Sequence, residues 1–258
     1  MLFINTRPED RAHSLNQALI QEGIQVESLP LLELVAEPFT VDLMQLYDQL
    51  KASQVIVVVS PTAVEIGMLY LKNSGIDLDQ LKHIQWIAVG QATAAALKTF
   101  GIDSLVPDVE SSEGMLQLPI LRERVDLNTV AFWRGHGGRQ FMMQHLQQTG
   151  VNILNFILYR RQCPELSLTK FPKLVSQLVA QQPVFVLISS EASWRNWQKL
   201  TAQISKELDC IYLVLGERLA QVLCQTQNQV DSMLKYIQLE TLAPLEIIHS
   251  IQGWQGQS

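Results

Sequence analysis

The chain has 258 residues, 47% hydrophobic and 17% charged, which is ample apolar material for one large or two modest domains and excludes intrinsic disorder. Its 13 glycines and 10 prolines stay below the level of low-complexity chains. A net charge of −6 argues against non-specific nucleic-acid binding, which rests on phosphate neutralisation by Lys and Arg, but leaves room for a polyanionic small substrate at a locally positive site.

In chain order, Leu2-Phe3-Ile4 reads as a strand leading into a helix from Pro8 to about Glu22, closed by Gly23. Ala12, Leu15, Ala18 and Leu19 mark one face of that helix. The opening residues lack a basic start followed by a long apolar stretch, so no secretory signal is expected. Val26–Leu29 reads as a second strand. Val55–Val59 is apolar without alternation, as a parallel strand covered on both faces must be. Trp86–Val89, Val130–Trp133, Ile153–Tyr159, Val184–Ile188 and Ile211–Leu215 repeat that type. Helices are expected over Thr62–Asn73, Ala92–Phe100, Glu113–Leu121, Arg139–Thr149, Leu174–Gln181, Ala192–Ala202 and Leu219–Gln225. Alternation of about ten strands with helices predicts an α/β fold with parallel sheets and helices on both faces.

Two proline-containing stretches without a helical stripe, Pro30–Thr40 and Arg160–Phe171, break the rhythm. Read as crossings between domains, they make residues 36–164 a domain inserted into an outer one built from 1–35 and 165–258. Two strand-like linkers side by side would form the hinge.

No apolar run approaches the ~18 residues of a membrane span. Cys163, Cys210 and Cys224 are odd in number and lack CxxC spacing, so small buried side chains in a reducing, cytoplasmic protein are expected rather than disulfides or zinc. His13, His83, His136, His145 and His249 show no metal-binding spacing. Arg134-Gly135-His136-Gly137-Gly138-Arg139 follows a strand, but Gln140 stands where a dinucleotide fingerprint requires glycine. Neither a metal nor a cofactor is expected. Trp133, Trp194 and Trp197 fit either a core or a cleft.

One strand-to-helix junction recurs: Thr6-Arg7-Pro8-Glu9, Ser60-Pro61-Thr62-Ala63, Gly90-Gln91-Ala92-Thr93, Gly135-His136-Gly137-Gly138 and Ser189-Ser190-Glu191-Ala192. Thr6 with Glu9 fits a capping box, and Ser60 before Pro61 fits an N-cap with first-turn proline. Each can be an ordinary helix cap. Together they would share the strand C-terminal edge where parallel sheets bind ligands, and helix starts there attract anions. Arg7, Arg134 and Arg139 sit at these junctions, and Arg160-Arg161 follow Tyr159; guanidinium suits carboxylates, though the last pair also fits a solvated linker. Tyr159 fits either an edge aromatic or a general acid.

In order along nearly the whole chain, Thr6-Arg7-Pro8, Ser60-Pro61-Thr62-Ala63-Val64, Ala88-Val89-Gly90-Gln91-Ala92-Thr93-Ala94, Ser112-Glu113 with Leu116-Gln117-Leu118-Pro119, Arg134–Arg139 and Tyr159-Arg160-Arg161 resemble uroporphyrinogen-III synthases, in particular the proteobacterial branch. Gly216-Glu217-Arg218-Leu219-Ala220 departs from the Gly-Pro-Thr-Thr-Ala of many members and is similar to that branch.

The resemblance implies two flavodoxin- or Rossmann-like domains joined by a two-stranded linker, with no cofactor. It implies a small-molecule substrate, hydroxymethylbilane, a linear tetrapyrrole with eight carboxylates, which loses water, inverts ring D through a spiro intermediate and closes. Tyr159 is the implied catalytic group. Thr6, Arg7, Ser60, Pro61, Thr62, Gly90, Gln91, Ala92, Thr93, Arg134, Gly135, Gly138, Arg139, Ser189, Ser190, Glu217 and Arg218 are the implied substrate-binding set. A monomer receiving substrate from hydroxymethylbilane synthase, with no nucleic-acid or membrane partner, is expected. A non-catalytic two-lobed binding protein for a tetrapyrrole or carboxylate is the competing reading.

Overall fold

The structure, a computed structural model, describes residues 1–123, 126–137, 140–227 and 234–255. Its elements run β1 (Leu2–Asn5), α1 (Glu9–Gln21), β2 (Gln25–Ser28), β3 (Glu33–Ala36), α2 (Val41–Leu50), β4 (Val55–Val58), α3 (Pro61–Asn73), β5 (Gln85–Ala88), α4 (Gln91–Lys98), β6 (Ser104–Leu105), α5 (Ser112–Leu116) and α6 (Pro119–Arg122). They continue with β7 (Thr129–Gly135), α7 (Phe141–Gln148), β8 (Asn152–Gln162), α8 (Glu165–Ala180), β9 (Val184–Ile188), α9 (Glu191–Thr201), β10 (Cys210–Leu215), α10 (Gly216–Gln227), β11 (Lys235–Leu239) and α11 (Pro244–Gln255). The chain divides into two compact units, one of Met1–Glu33 with Gln162–Ser258 and one of Leu34–Arg161, and both crossings fall in strands, β3 and β8.

The discontinuous unit holds a five-stranded sheet in the order β11-β10-β9-β1-β2, parallel throughout. Counted along this unit the order is 2-1-3-4-5, the flavodoxin-like arrangement. Alternation along each strand sends residues to opposite faces. Phe3, Phe185, Leu187, Ile211 and Leu213 pack with Leu15, Leu19 and Ile247 of α1 and α11. Leu2, Ile4, Val184, Val186 and Val214 pack with Leu174, Trp197 and Leu223 of α8, α9 and α10. Both faces of the three central strands β1, β9 and β10 are covered, which is why these read as largely apolar runs.

The continuous unit carries a six-stranded sheet, β3-β8-β7-β4-β5-β6, in which the five strands from β8 to β6 are parallel. Without β3 the order is 3-2-1-4-5, Rossmann-like, with its reversal between β4 and β7. Val55, Val57, Val130 and Phe132 face Met115, Met142 and Leu146, while Ile56, Val58, Ala131 and Trp133 face Tyr47, Val64 and Leu71. Trp133, Trp194 and Trp197 are all core residues, at 2% exposure or less. Cys210 is buried as expected, whereas Cys163 and Cys224 are only half-buried; all three are free.

Several elements differ from the sequence expectation. Glu113–Leu121 is not one helix: Pro119 stops the first turn-and-a-half and opens α6 at its N1 position. The stretch Arg160–Phe171 is a strand-like linker only at its start, because β8 extends to Gln162 but α8 begins at Glu165. Ser167, Phe171, Leu174 and Leu178 form a buried stripe at helical spacing, but Pro172 lies inside that helix and disguises its first half, so that only the part from Leu174 is legible in the sequence. Helix α2 carries its own stripe of Leu43, Tyr47 and Leu50, capped by Thr40, whose hydroxyl accepts from the Leu43 N–H. Among the described residues, no helix is long and apolar enough to cross a membrane.

Trp133 lies against the backbone of α3 at Gly67, where a Cβ would come within 2.2 Å of the indole. The ring cannot retreat, since Tyr47, Trp86 and Phe156 surround it. Gly67→Ala is therefore expected to cost about 1–3 kcal/mol by overpacking, read as a lower urea midpoint, whereas Ile66→Ala at the partly buried neighbouring position removes volume without a clash. An unchanged midpoint for Gly67→Ala would show that the indole has somewhere to move.

Candidate functional site

In the continuous unit, the C-terminal ends of β4, β5, β7 and β8 border a cavity of about 130 Å³. It lies at the reversal point of the strand order, where parallel sheets open a crevice. Val59, Val89, Met115, Phe132, Met142 and Met143 give it apolar walls, and Arg134, Tyr159, Arg161 and Ser112 give it polar ones.

Tyr159 is 1% exposed and its position is over-determined. Strands β7 and β8 pair Arg134 with Ile157 but Gly135 with Tyr159, so β8 gains one residue there. A bulge of this kind re-aims a side chain, and here it leaves Leu158 and Tyr159 both buried. The ring then lies on Gly135, where a Cβ would stand 2.4 Å from Tyr159 Cε2. Its hydroxyl is 3.0 Å from Ser60 Oγ, and its carbonyl accepts from the His136 N–H at 2.7 Å. Ser60 is the N-cap of α3, as its place before Pro61 predicts, and its Oγ also accepts from the Ala63 N–H at 3.1 Å. Pro61 has no N–H, so of the first three amides of α3 only that of Thr62 lacks a partner among the described residues.

Arg134 is 5% exposed. Its Nε donates to the Gly135 carbonyl at 3.3 Å and its guanidinium reaches Met143 Sδ at 3.5 Å. Burial pulls its pKa below the usual arginine value, partly opposed by the Tyr159 phenol. Beyond the bulge β8 alternates again. Arg160 pairs with Glu37 at 3.1 Å, while Arg161 turns back to the cavity with its guanidinium 5.5 Å from the Tyr159 ring centre.

Gly90 is the N-cap of α4, followed by Gln91, Ala92 and a buried Thr93. The Gln91 N–H donates to Glu110 Oε1 at 2.8 Å, and a Cβ on Gly90 would sit 2.2 Å from the same carboxylate. The chain thus places one of its own acids on this helix start, a residue that sequence reasoning did not single out. Nothing local signals it, since Glu110 reaches Gln91 from a loop 19 positions away.

In the discontinuous unit the Thr6–Glu9 capping box does not form. Pro8 is the N-cap of α1 without a side-chain bond, and the buried Thr6 hydroxyl instead donates to the Leu187 carbonyl on the adjacent strand. Asn5, missed in the sequence, does the local organising: its side chain accepts from the Arg7 N–H at 3.2 Å and donates to Asn16 at 2.7 Å. Arg7 is half-buried, and burial with the neighbouring Arg11 lowers its pKa against the pull of Asp10. Ser190 caps α9, its Oγ accepting from the Ser193 N–H at 3.1 Å, beside a half-buried Ser189. Glu217 and Arg218 are exposed on the first turn of α10, where Glu217 accepts from Gln221. Gly138 and Arg139 lie outside the described residues. Among the described residues, no cluster of three or more His, Cys, Asp or Glu side chains could hold a metal ion.

The sequence model of one family, uroporphyrinogen-III synthase HemD, matches residues 13–241. Among solved structures the chain is similar to a mutant uroporphyrinogen III synthase from the extreme thermophile Thermus thermophilus, with 13% identity, a TM-score of 0.66 and full coverage of both chains. It is also similar to uroporphyrinogen-III synthetase from Helicobacter pylori, with 15% identity, a TM-score of 0.61 and coverage of 97% and 98%. At such identities these two share the fold.

Gly135 and Gly90 should respond differently to a methyl group. Gly135→Ala drives a Cβ into a buried aromatic ring and is expected to cost about 1–3 kcal/mol. Gly90→Ala displaces only the end of the Glu110 side chain and loses one exposed cap, about 1 kcal/mol or less. Unfolding midpoints of the two variants check the order; equal costs would mean that Tyr159 is free to swing aside.

Proposed function

The chain belongs to the uroporphyrinogen-III synthase family, lyases that need no cofactor, and we propose that its substrate is hydroxymethylbilane and its catalytic group Tyr159. The observation that carries the assignment is a buried phenol, held by Gly135 and Ser60, at the strand-end cavity of a parallel sheet. In the reaction the Tyr159 O–H, or a water bonded to it, gives a proton to the terminal hydroxyl, which departs as water. The electron-rich pyrrole pushes it out and leaves a methylene electrophile. Ring D attacks through its substituted carbon to form the spiro intermediate, and the bond to its former neighbour breaks and re-forms at the other α carbon. The proton that ring D releases on aromatising restores the phenol.

The bilane can also close without inversion, so the main demand on the protein is orientation, which can supply about 7–11 kcal/mol without strong acids or bases. The Thr62 amide, the Ser60 and Thr93 region and the Ser190 turn are the groups we assign to the carboxylates, together with Arg7 and Arg134. Helix starts and arginines suit such anions in an acidic protein. Glu217-Arg218-Leu219-Ala220 favours the proteobacterial branch, and three free cysteines fit a reducing cytoplasm. We place the enzyme there as a monomer that receives its substrate from hydroxymethylbilane synthase.

The test is to mix the protein with fresh hydroxymethylbilane and separate the oxidised porphyrin isomers. Enrichment of type III supports the assignment; binding with only spontaneous type I product would leave a carrier. Tyr159→Phe is expected to lower kcat about 10- to 100-fold, the low end of a general-acid contribution; wild-type turnover would remove the phenol from the mechanism. Arg7→Gln is expected to raise KM, and a KM that matches wild type at every ionic strength would count against a carboxylate contact.

A further inference from the structure

Arg161 stands apart from the other cations of this region. Its predecessor Arg160 is committed to Glu37, and the buried Arg134 is packed on Met143 and the Gly135 carbonyl. Arg161 is exposed, lines the cavity and lies over the Tyr159 ring. Among the described residues it has no carboxylate within ion-pair distance. The cavity it borders holds about 130 Å³, close to the size of an engineered cavity that binds benzene. It is therefore large enough for a side arm of two or three carbons and far too small for a macrocycle. Its walls suit such an arm, because methionine, valine and phenylalanine offer contacts to methylenes while leaving the polar end to the arginine and the phenol.

Resting on the synthase reading above, we infer that this cavity is a subsite for one carboxyalkyl arm of the substrate, with its methylenes against Met115, Met142 and Phe132 and its carboxylate on Arg161. Seating the arm there brings the attached pyrrole to the Tyr159 hydroxyl, so the residue that binds the arm also registers the ring beside the proton donor. The parity of β8 is what separates the two neighbouring arginines: positions 159 and 161 share a face, and position 160 does not.

The experiment is steady-state kinetics of Arg161→Gln, Arg161→Lys and Arg160→Gln on hydroxymethylbilane, alongside wild type and with melting temperatures recorded. Arg161→Gln is expected to raise KM about tenfold, as for loss of one charge-assisted contact, and to flatten the dependence of KM on salt. Its kcat and melting temperature should stay near wild type. Arg161→Lys should recover part of the affinity, and Arg160→Gln should lower only the melting temperature. A KM for Arg161→Gln within twofold of wild type overturns the subsite. So does a fall in kcat at constant KM, which would make Arg161 a prop for the phenol. If wild type itself yields no excess of type III product, the synthase reading fails first; if it does and Arg161→Gln binds normally, only the subsite is lost.

Discussion

One tight contact in the site is between an aromatic ring and a backbone: Tyr159 lies on Gly135 with no room for a methyl group between them. That contact exists because β8 carries one residue more than β7 at this point. Remove the extra residue and the alternation of the strand would present Leu158 opposite Gly135 instead. The bulge, the glycine and the serine cap of α3 act as a single device, each meaningless without the others. A phenol placed this way is rigid before any ligand arrives, which is the condition for orientation to lower a barrier.

A wider constraint stands behind it. All strands of the discontinuous unit's sheet, and five of the six in the other, run the same way. Parallel pairing needs a crossover, and here a helix follows every strand except β2, so most turns on that edge are helix starts. Each unit therefore owns a row of oriented amides regardless of its surface charge, and a chain of net charge −6 can still attract acids. The cations we assign to the substrate are few and placed by packing. Arg134 keeps its charge in spite of burial, since the desolvation that lowers its pKa acts on a group with a very high starting value.

How far the sequence reveals this depends on the range of the interaction concerned. Val55–Val58 and Val184–Ile188 betray parallel, doubly covered strands because burial on both faces is written in each residue. Ser60 before Pro61 shows its cap because the bond spans three positions. What stays hidden either contradicts a local rule or spans distance. Pro172 conceals the first half of a helix, legible in the sequence only from Leu174, whose buried stripe at Ser167, Phe171, Leu174 and Leu178 is stronger than the defect. Thr6 carries the residues of a capping box, yet the Leu187 carbonyl, 181 positions away, takes its hydroxyl. The bulge is a property of the β7–β8 pair, so neither strand alone announces it, and Arg161 looks identical to Arg160 until it is known.

Glu110 bears on how such an edge works. Its carboxylate on the Gln91 amide shows that the start of α4 accepts this chemical group, and that it is already answered in the free chain. An incoming carboxylate at α4 must replace an equal charge, so capping energy lost with Glu110 is regained from the ligand and the exchange yields little net binding. The turn at α3 is different. Its serine is shared with Tyr159, its proline offers no donor, and the Thr62 amide lacks a partner among the described residues. Binding there adds a bond instead of exchanging one. The two helix starts, alike in their place after a parallel strand, thus differ in what they can give a ligand, and the one that can give more is the one joined to the phenol.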